Sequence, residues 1–130
     1  MNYRFKGVLV ILVVLLAGES LRAHHAHSIA FDDRSRVTLT GMITKIEWKN
    51  PHIQFSFDTK GGGALPEIRV GVWVMEGESP NTYLGGNVGK ADFEKAMSQA
   101  ATVTVEVSTA RNGSRSGYLR KITFPDGRSR

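Results

Sequence analysis

No cysteine occurs anywhere in the chain, which removes disulfides and thiolate metal sites from consideration. Long apolar runs are almost as scarce. The single unbroken run, Val8 to Ala17, is halted by Gly18-Glu19-Ser20, well short of the roughly 18 residues that a membrane span requires. Arg4 and Lys6 precede it and Leu21-Arg22-Ala23 follows, the three-part layout of a secretory signal. The expectation is a cleavable signal peptide over residues 1–23, a periplasmic or secreted bacterial protein, and membrane contact only during export. No cysteine follows the run, so a lipid anchor is not expected. Internal repeats and low-complexity tracts are also missing.

Acidic residues are the minority, 12 against 17 basic ones. Cleavage after residue 23 of 130 leaves 107 residues and removes three basic and one acidic side chain, lowering the net charge from +5 to +3. That length suits one small domain and is too short for two. Much of the basic excess lies late, in Arg111, Arg115, Arg120, Lys121, Arg128 and Arg130. Nucleic acid is the reflex partner of a basic protein, but an exported one rarely meets it, and strand edges carry such charges for solubility. No nucleic-acid partner is expected, and the protein is read as a monomer.

What is present is chiefly alternation. Val37, Leu39 and Ile43 share one face of a strand over Arg36–Trp48, after which Ile46 and Trp48 take the opposite parity. A period of two cannot change parity inside a regular strand, so a bulge or bend is predicted between Gly41 and Ile46. His52–Asp58 points Ile53, Phe55 and Phe57 inward and His52 outward. Thr59–Pro66, with three consecutive glycines, reads as a loop. A third strand over Glu67–Met75 sets Ile68, Val70, Val72 and Val74 opposite Trp73 and Met75. Gly77–Gly89 is irregular. Phe93, Ala96, Met97 and Ala100 then form the stripe of a short helix over Lys90–Ala100. Strands over Thr102–Ser108 and Tyr118–Phe124 flank a hairpin turn centred on Asn112-Gly113. The fold class is mainly β: a five-stranded, OB-like barrel over 36–130 with one short helix between strands 3 and 4, preceded by a histidine-containing segment over 24–35. The bent first strand favours this closed form over an open sheet, because closing short strands needs curvature.

Several stretches together carry a family resemblance. These are His24-His25 followed by Phe31-Asp32, Leu39-Thr40-Gly41 running through Glu47-Trp48-Lys49-Asn50-Pro51-His52, Ser79-Pro80-Asn81, and the closing Phe124-Pro125-Asp126-Gly127-Arg128. With them the chain resembles a family of small exported bacterial proteins that has no assigned function. The Trp-x-Asn-Pro-His stretch is the most specific part. Two departures stand out: an Ala-His pair precedes Ser28 where the family usually reads His-His-Ser-Phe, and Leu84–Ala101 lacks the Lys-x-Gly-Asp turn common before the fourth strand. The resemblance implies an exported OB-like barrel and no particular activity.

All four histidines fall in two places, His24, His25 and His27 at the expected cut and His52 after Pro51. Cleavage behind Ala23 would free an amine on His24, whose amine and imidazole can chelate one metal ion while further imidazoles complete the site. Free α-amines titrate at roughly 7.7–8 and histidine at about 6.5, so deprotonating these donors near neutral pH costs little. Such ligands suit Cu(II), Ni(II) and Zn(II), with copper highest in the usual affinity order. Copper is the expected metal, and the competing explanation is a polar tail that binds metals weakly and without purpose. For His52 to join, the first strand, about 40 Å long if straight, must curl, or the N-terminal segment must run back beside it. The segment from His27 to Arg36 reaches about 30 Å. Otherwise His52 is an outward strand residue that shapes the turn.

An enzyme is not expected. Asp32-Asp33, Glu47 and Asp58 show no spacing that argues for an acid and base pair, and Ser28 with a neighbouring histidine and Asp32 lacks an oxyanion hole. The second functional reading takes Trp48 and Trp73 as stacking platforms of an OB-like module for a periplasmic saccharide, peptide or protein partner. Trp73 is a candidate because its parity opposes the valines of its strand, although tryptophan in so small a domain is more often core.

Overall fold

The stripe at Val37, Leu39 and Ile43 becomes the inner face of β1 (Phe31–Glu47). In the computed structural model, which describes residues 29–60 and 69–130, this strand is followed by β2 (Gln54–Asp58), β3 (Val72–Glu76), a 3-10 turn (Pro80–Tyr83), α1 (Lys90–Ser98), β4 (Thr102–Ala110) and β5 (Ser116–Thr123). The strands close in the order β1-β2-β3-β5-β4. All neighbours are antiparallel except β3 and β5, which run parallel. This is the five-stranded, mainly β, OB-like ring expected, with its helix between strands 3 and 4. The unit spans Phe31–Arg130.

Curvature of β1 closes the ring. Residues up to Met42 pair with β4 while Met42 onward pair with β2, so Gly41-Met42 is the corner. The change of parity is a register shift between Ile43 and Lys45, inside the predicted interval. A second shift, between Asp32 and Arg36, lets β1 begin at Phe31 rather than at Arg36. The five residues after Ala30 therefore belong to the strand and not to a separate N-terminal segment.

Phe55, Phe57, Met75, Phe93 and Val105 centre the core. Edge-to-face ring pairs gather on Phe93, which meets Trp48, Tyr83 and Phe124 at 5.2, 5.9 and 5.5 Å. Two boundaries differ from the sequence pattern. The described part of the third strand starts at Val72; Thr59 fastens its approach, donating from Oγ1 to the Arg69 carbonyl at 2.8 Å and accepting from the Gly71 N–H at 2.8 Å. The glycine loop and Ile68 lie outside the described residues. The helix ends at Ser98 because Ala100 turns left-handed, φ 48°, with the Ala101 and Ala100 N–H groups donating to the Ala96 and Met97 carbonyls in a Schellman cap.

Candidate functional site

His52 reaches the outer face through its neighbour. Ile53 is buried, its N–H donates to the Glu78 carbonyl at 3.0 Å, and its own carbonyl accepts from Gly77 at 2.9 Å. With Ile53 pointing inward, alternation sends His52 outward, as its parity predicts. There His52 Nδ1 lies 2.5 Å from Glu76 Oε1, and the two side chains stay 24% and 25% exposed. Glu76 is placed by two ladders at once, opposite Gln54 of β2 and Tyr118 of β5.

Tyr118 is the hub of this face. The His52 ring meets it at 6.3 Å and 83°, the Phe31 ring at 5.9 Å, and the Arg120 guanidinium at 4.9 Å. Arg120 also pairs with Asp33 and donates from Nε to the buried Ser108 hydroxyl at 2.9 Å. The irregularity after Asp32 brings Asp33 to that position. Burial pushes the Tyr118 phenol above its ordinary range; Glu78, Glu76 and Asp33 add to this and Arg120 opposes it. Asp33 is ion-paired with Arg120 and Glu78 with Arg130, so the carboxylates around Tyr118 are largely matched by guanidinium groups.

A profile of a family of unknown function, DUF6152, matches residues 12–120. The chain belongs to this family. No curated protein and no solved structure matches it. The matched stretch of this DUF6152 chain contains Phe31, His52, Glu76, Tyr118 and Arg120.

The other residues singled out by sequence fall as follows. His24, His25 and His27 lie outside the described residues. Trp73 keeps its parity opposite the valines, but its face is the core: it is 4% exposed and its indole N–H donates to the Arg69 carbonyl at 3.0 Å, whereas Val72 and Val74 face out. A stacking platform at Trp73 is thus corrected to a core position, because β3 turns its aromatic and Met75 inward. Trp48 is half-buried against Tyr83 and Phe93. The carboxylates are dispersed. Glu47, held down to about 2 by hydrogen bonds from Lys45 and Lys49, pairs with those two lysines, and Asp32 pairs with Arg111. Among the described residues no three His, Asp or Glu side chains are grouped to hold a metal ion.

The late basic residues do not form one patch in this DUF6152 chain, since Arg111, Arg120, Arg128 and Arg130 are each ion-paired with a different carboxylate. A cleft beside α1, lined by Asp92, Lys95, Asp126 and Arg128, holds the Arg128 pairs with Asp92 and Asp126. Sequence reading passed over Glu76, Tyr118 and Phe31. The parity of His52 could have pointed to a partner on the outer face, but choosing Glu76 requires the β2–β3 register.

Proposed function

We propose that this is an exported protein whose mature chain, beginning at His24, binds a divalent metal, copper first. The donors are the His24 amine, the imidazoles of His24, His25 and His27, and His52. The observation that carries this reading is that Phe31 and His52 both pack against Tyr118. Because β1 curls, Phe31 at its start and His52 beyond its end share the Tyr118 ring, which supports keeping His52 among the candidate donors. The Glu76 carboxylate, 2.5 Å from His52 Nδ1, supports a cation as the ligand.

Intact mass of the exported protein, with and without Cu(II), fixes its first residue and the metal stoichiometry together. Cu(II) affinity is then compared with that of a form carrying an added N-terminal Met. Equal affinity in the two forms, or a first residue other than His24, rules out the amine-dependent site.

A second reading is favoured by one observation: Val72 and Val74 are 54% and 47% exposed on the outer face of β3, the strand region through which OB barrels bind ligands. There the protein would serve as a binding module for a saccharide, peptide or protein partner. Loss of partner binding in Val74→Asp with Cu(II) binding intact would favour it.

A further inference from the structure

The tip of the β4–β5 hairpin holds the one asparagine of the chain that is followed by glycine, Asn112-Gly113. Residues 111–115 are all exposed, and the space beside the Gly113 α-carbon is open, since a β-carbon built there meets no described atom within 4 Å. Gly113 takes φ 76°, and its N–H closes the turn onto the Ala110 carbonyl at 3.2 Å, the long end of the range for such bonds. The Asn112 side chain folds over this glycine, with Oδ1 accepting from the Ser114 N–H at 3.0 Å as in an Asx turn. Asn112 Cγ is thus kept on the side of the Gly113 nitrogen. An N–H already points at the oxygen on which charge would gather if that nitrogen attacked.

We infer that Asn112 is a site of spontaneous covalent modification in the folded protein, converting to aspartate and isoaspartate through a cyclic imide formed with Gly113. The Gly113 nitrogen gives its proton to hydroxide and attacks Asn112 Cγ. The new C–N bond forms, the Cγ–Nδ2 bond breaks, and Nδ2 takes up a proton from water and leaves as ammonia. Water then opens the five-membered imide, with no oxidation or reduction at any step. Hydrolysis at Cγ gives aspartate; hydrolysis at the main-chain carbonyl gives isoaspartate, whose backbone runs through the former side chain. Either product adds a carboxylate to a turn flanked by Arg111 and Arg115. Isoaspartate also lengthens by one backbone atom the loop between strands 4 and 5, which OB barrels use in ligand binding.

The same chemistry passes over the other described asparagines. Asn50 precedes proline, whose nitrogen has no hydrogen to lose, and Asn81 and Asn87 precede Thr82 and Val88, whose branched side chains crowd the attacking nitrogen. Asp126-Gly127 can close an equivalent ring, but Asp126 accepts from the Arg128 backbone N–H at 3.0 Å and from Arg128 Nε at 2.8 Å. These bonds hold its carboxyl below the usual range, and an ionised carboxylate is a poor target for a nucleophile.

The test incubates the folded protein at neutral and mildly alkaline pH, with a urea-unfolded sample alongside. Peptide mapping by mass spectrometry should find the amide-to-acid mass gain, and isoaspartate, in the peptide that contains Asn112. Ion exchange of the folded protein should show a growing species one charge more negative, forming faster at the higher pH because the attacking nitrogen must lose its proton. Asn112→Gln, which keeps the amide but needs a larger ring, should remain a single species over the same time. Conversion of Asn112 in the unfolded sample alone overturns the proposal, since the folded turn would then protect the site. Equal conversion at Asn81 or Asn87, isoaspartate at Asp126 to the same extent, or the same charge change in Asn112→Gln also overturns it.

Discussion

Gly41 and Asp58 approach so closely that a β-carbon on Gly41 would lie 2.2 Å from the Asp58 carbonyl oxygen. The contact is with backbone, which cannot swing aside. It falls where β1 leaves β4 for β2, so the missing side chain is what lets the first strand turn the corner. Gly41→Ala should destabilise the protein by about 3 kcal/mol, the upper end of overpacking costs, read as a lower urea midpoint at unchanged slope. An unchanged midpoint would mean that the corner has more room than the geometry gives it.

Ala100 occupies the left-handed cap position that glycine normally fills, with φ 48°. A side chain there costs roughly 1–2 kcal/mol, part of which glycine returns through greater freedom in the unfolded chain. Ala100→Gly should raise stability by about 0.5–1 kcal/mol, measured by thermal or chemical denaturation. A loss of stability would show that the cap is held by something other than backbone conformation.

The closing Phe124–Arg128 stretch is a fastening. Phe124 N–H donates to the Arg128 carbonyl, Ile122 and Arg130 exchange backbone hydrogen bonds, and Gly127 takes φ 84° at the bend. Arg128 then ties this return to α1 through Asp92 and to the Asn87 carbonyl. Asp92 also accepts from the Gly89 N–H at 2.9 Å, so Asp92→Ala loses both a cap and an ion pair. It should cost about 2 kcal/mol, and more than Arg128→Ala, which leaves the Gly89 cap in place. In a double-mutant cycle the pair should couple; strict additivity would argue against the tie.

Alkaline pH should loosen the barrel. Burial, with help from Glu78 and against Arg130, pushes the Tyr83 phenol up to about 12. The folded state thus holds this proton more tightly than the unfolded one. The stability that results is fully present below pH 10 and is lost as pH rises toward 12, an effect on the order of 2–3 kcal/mol. Urea midpoints measured from pH 9 to 12 should fall in wild type and fall less in Tyr83→Phe. A slope that Tyr83→Phe leaves unchanged would assign the loss to other groups, of which Tyr118 is the nearest in kind.

Alternation in the sequence was enough to place β1, β2 and β4 and to set the Ile53, Phe55 and Phe57 face inward, because a strand with one buried side records that burial residue by residue. The bend was readable too, since only a bulge reconciles Leu39 and Ile43 with Ile46. Trp73 was harder to read. On β3 both parities are apolar, so the pattern could not say whether the valines or the tryptophan faced the core, and chemistry gave no vote until Met75 and Trp73 were seen inside. The His52 partner was invisible for a different reason: Glu76 and Tyr118 meet it only through the β2–β3 and β3–β5 registers, which local pattern does not encode.

The parallel joint between β3 and β5 rests on Val74, Met75 and Glu76 opposite Ser116, Gly117 and Tyr118, the shortest of the five pairings among the described residues. Local opening follows the least-supported contacts, so amide exchange should reach this seam before the β1–β4 ladder. When it parts, Tyr118 leaves with one lip of the barrel while His52 and Glu76 remain together on the other. A ligand that draws both lips together therefore acts as a clasp, and its occupancy would be written in the exchange rates of amides that it never touches.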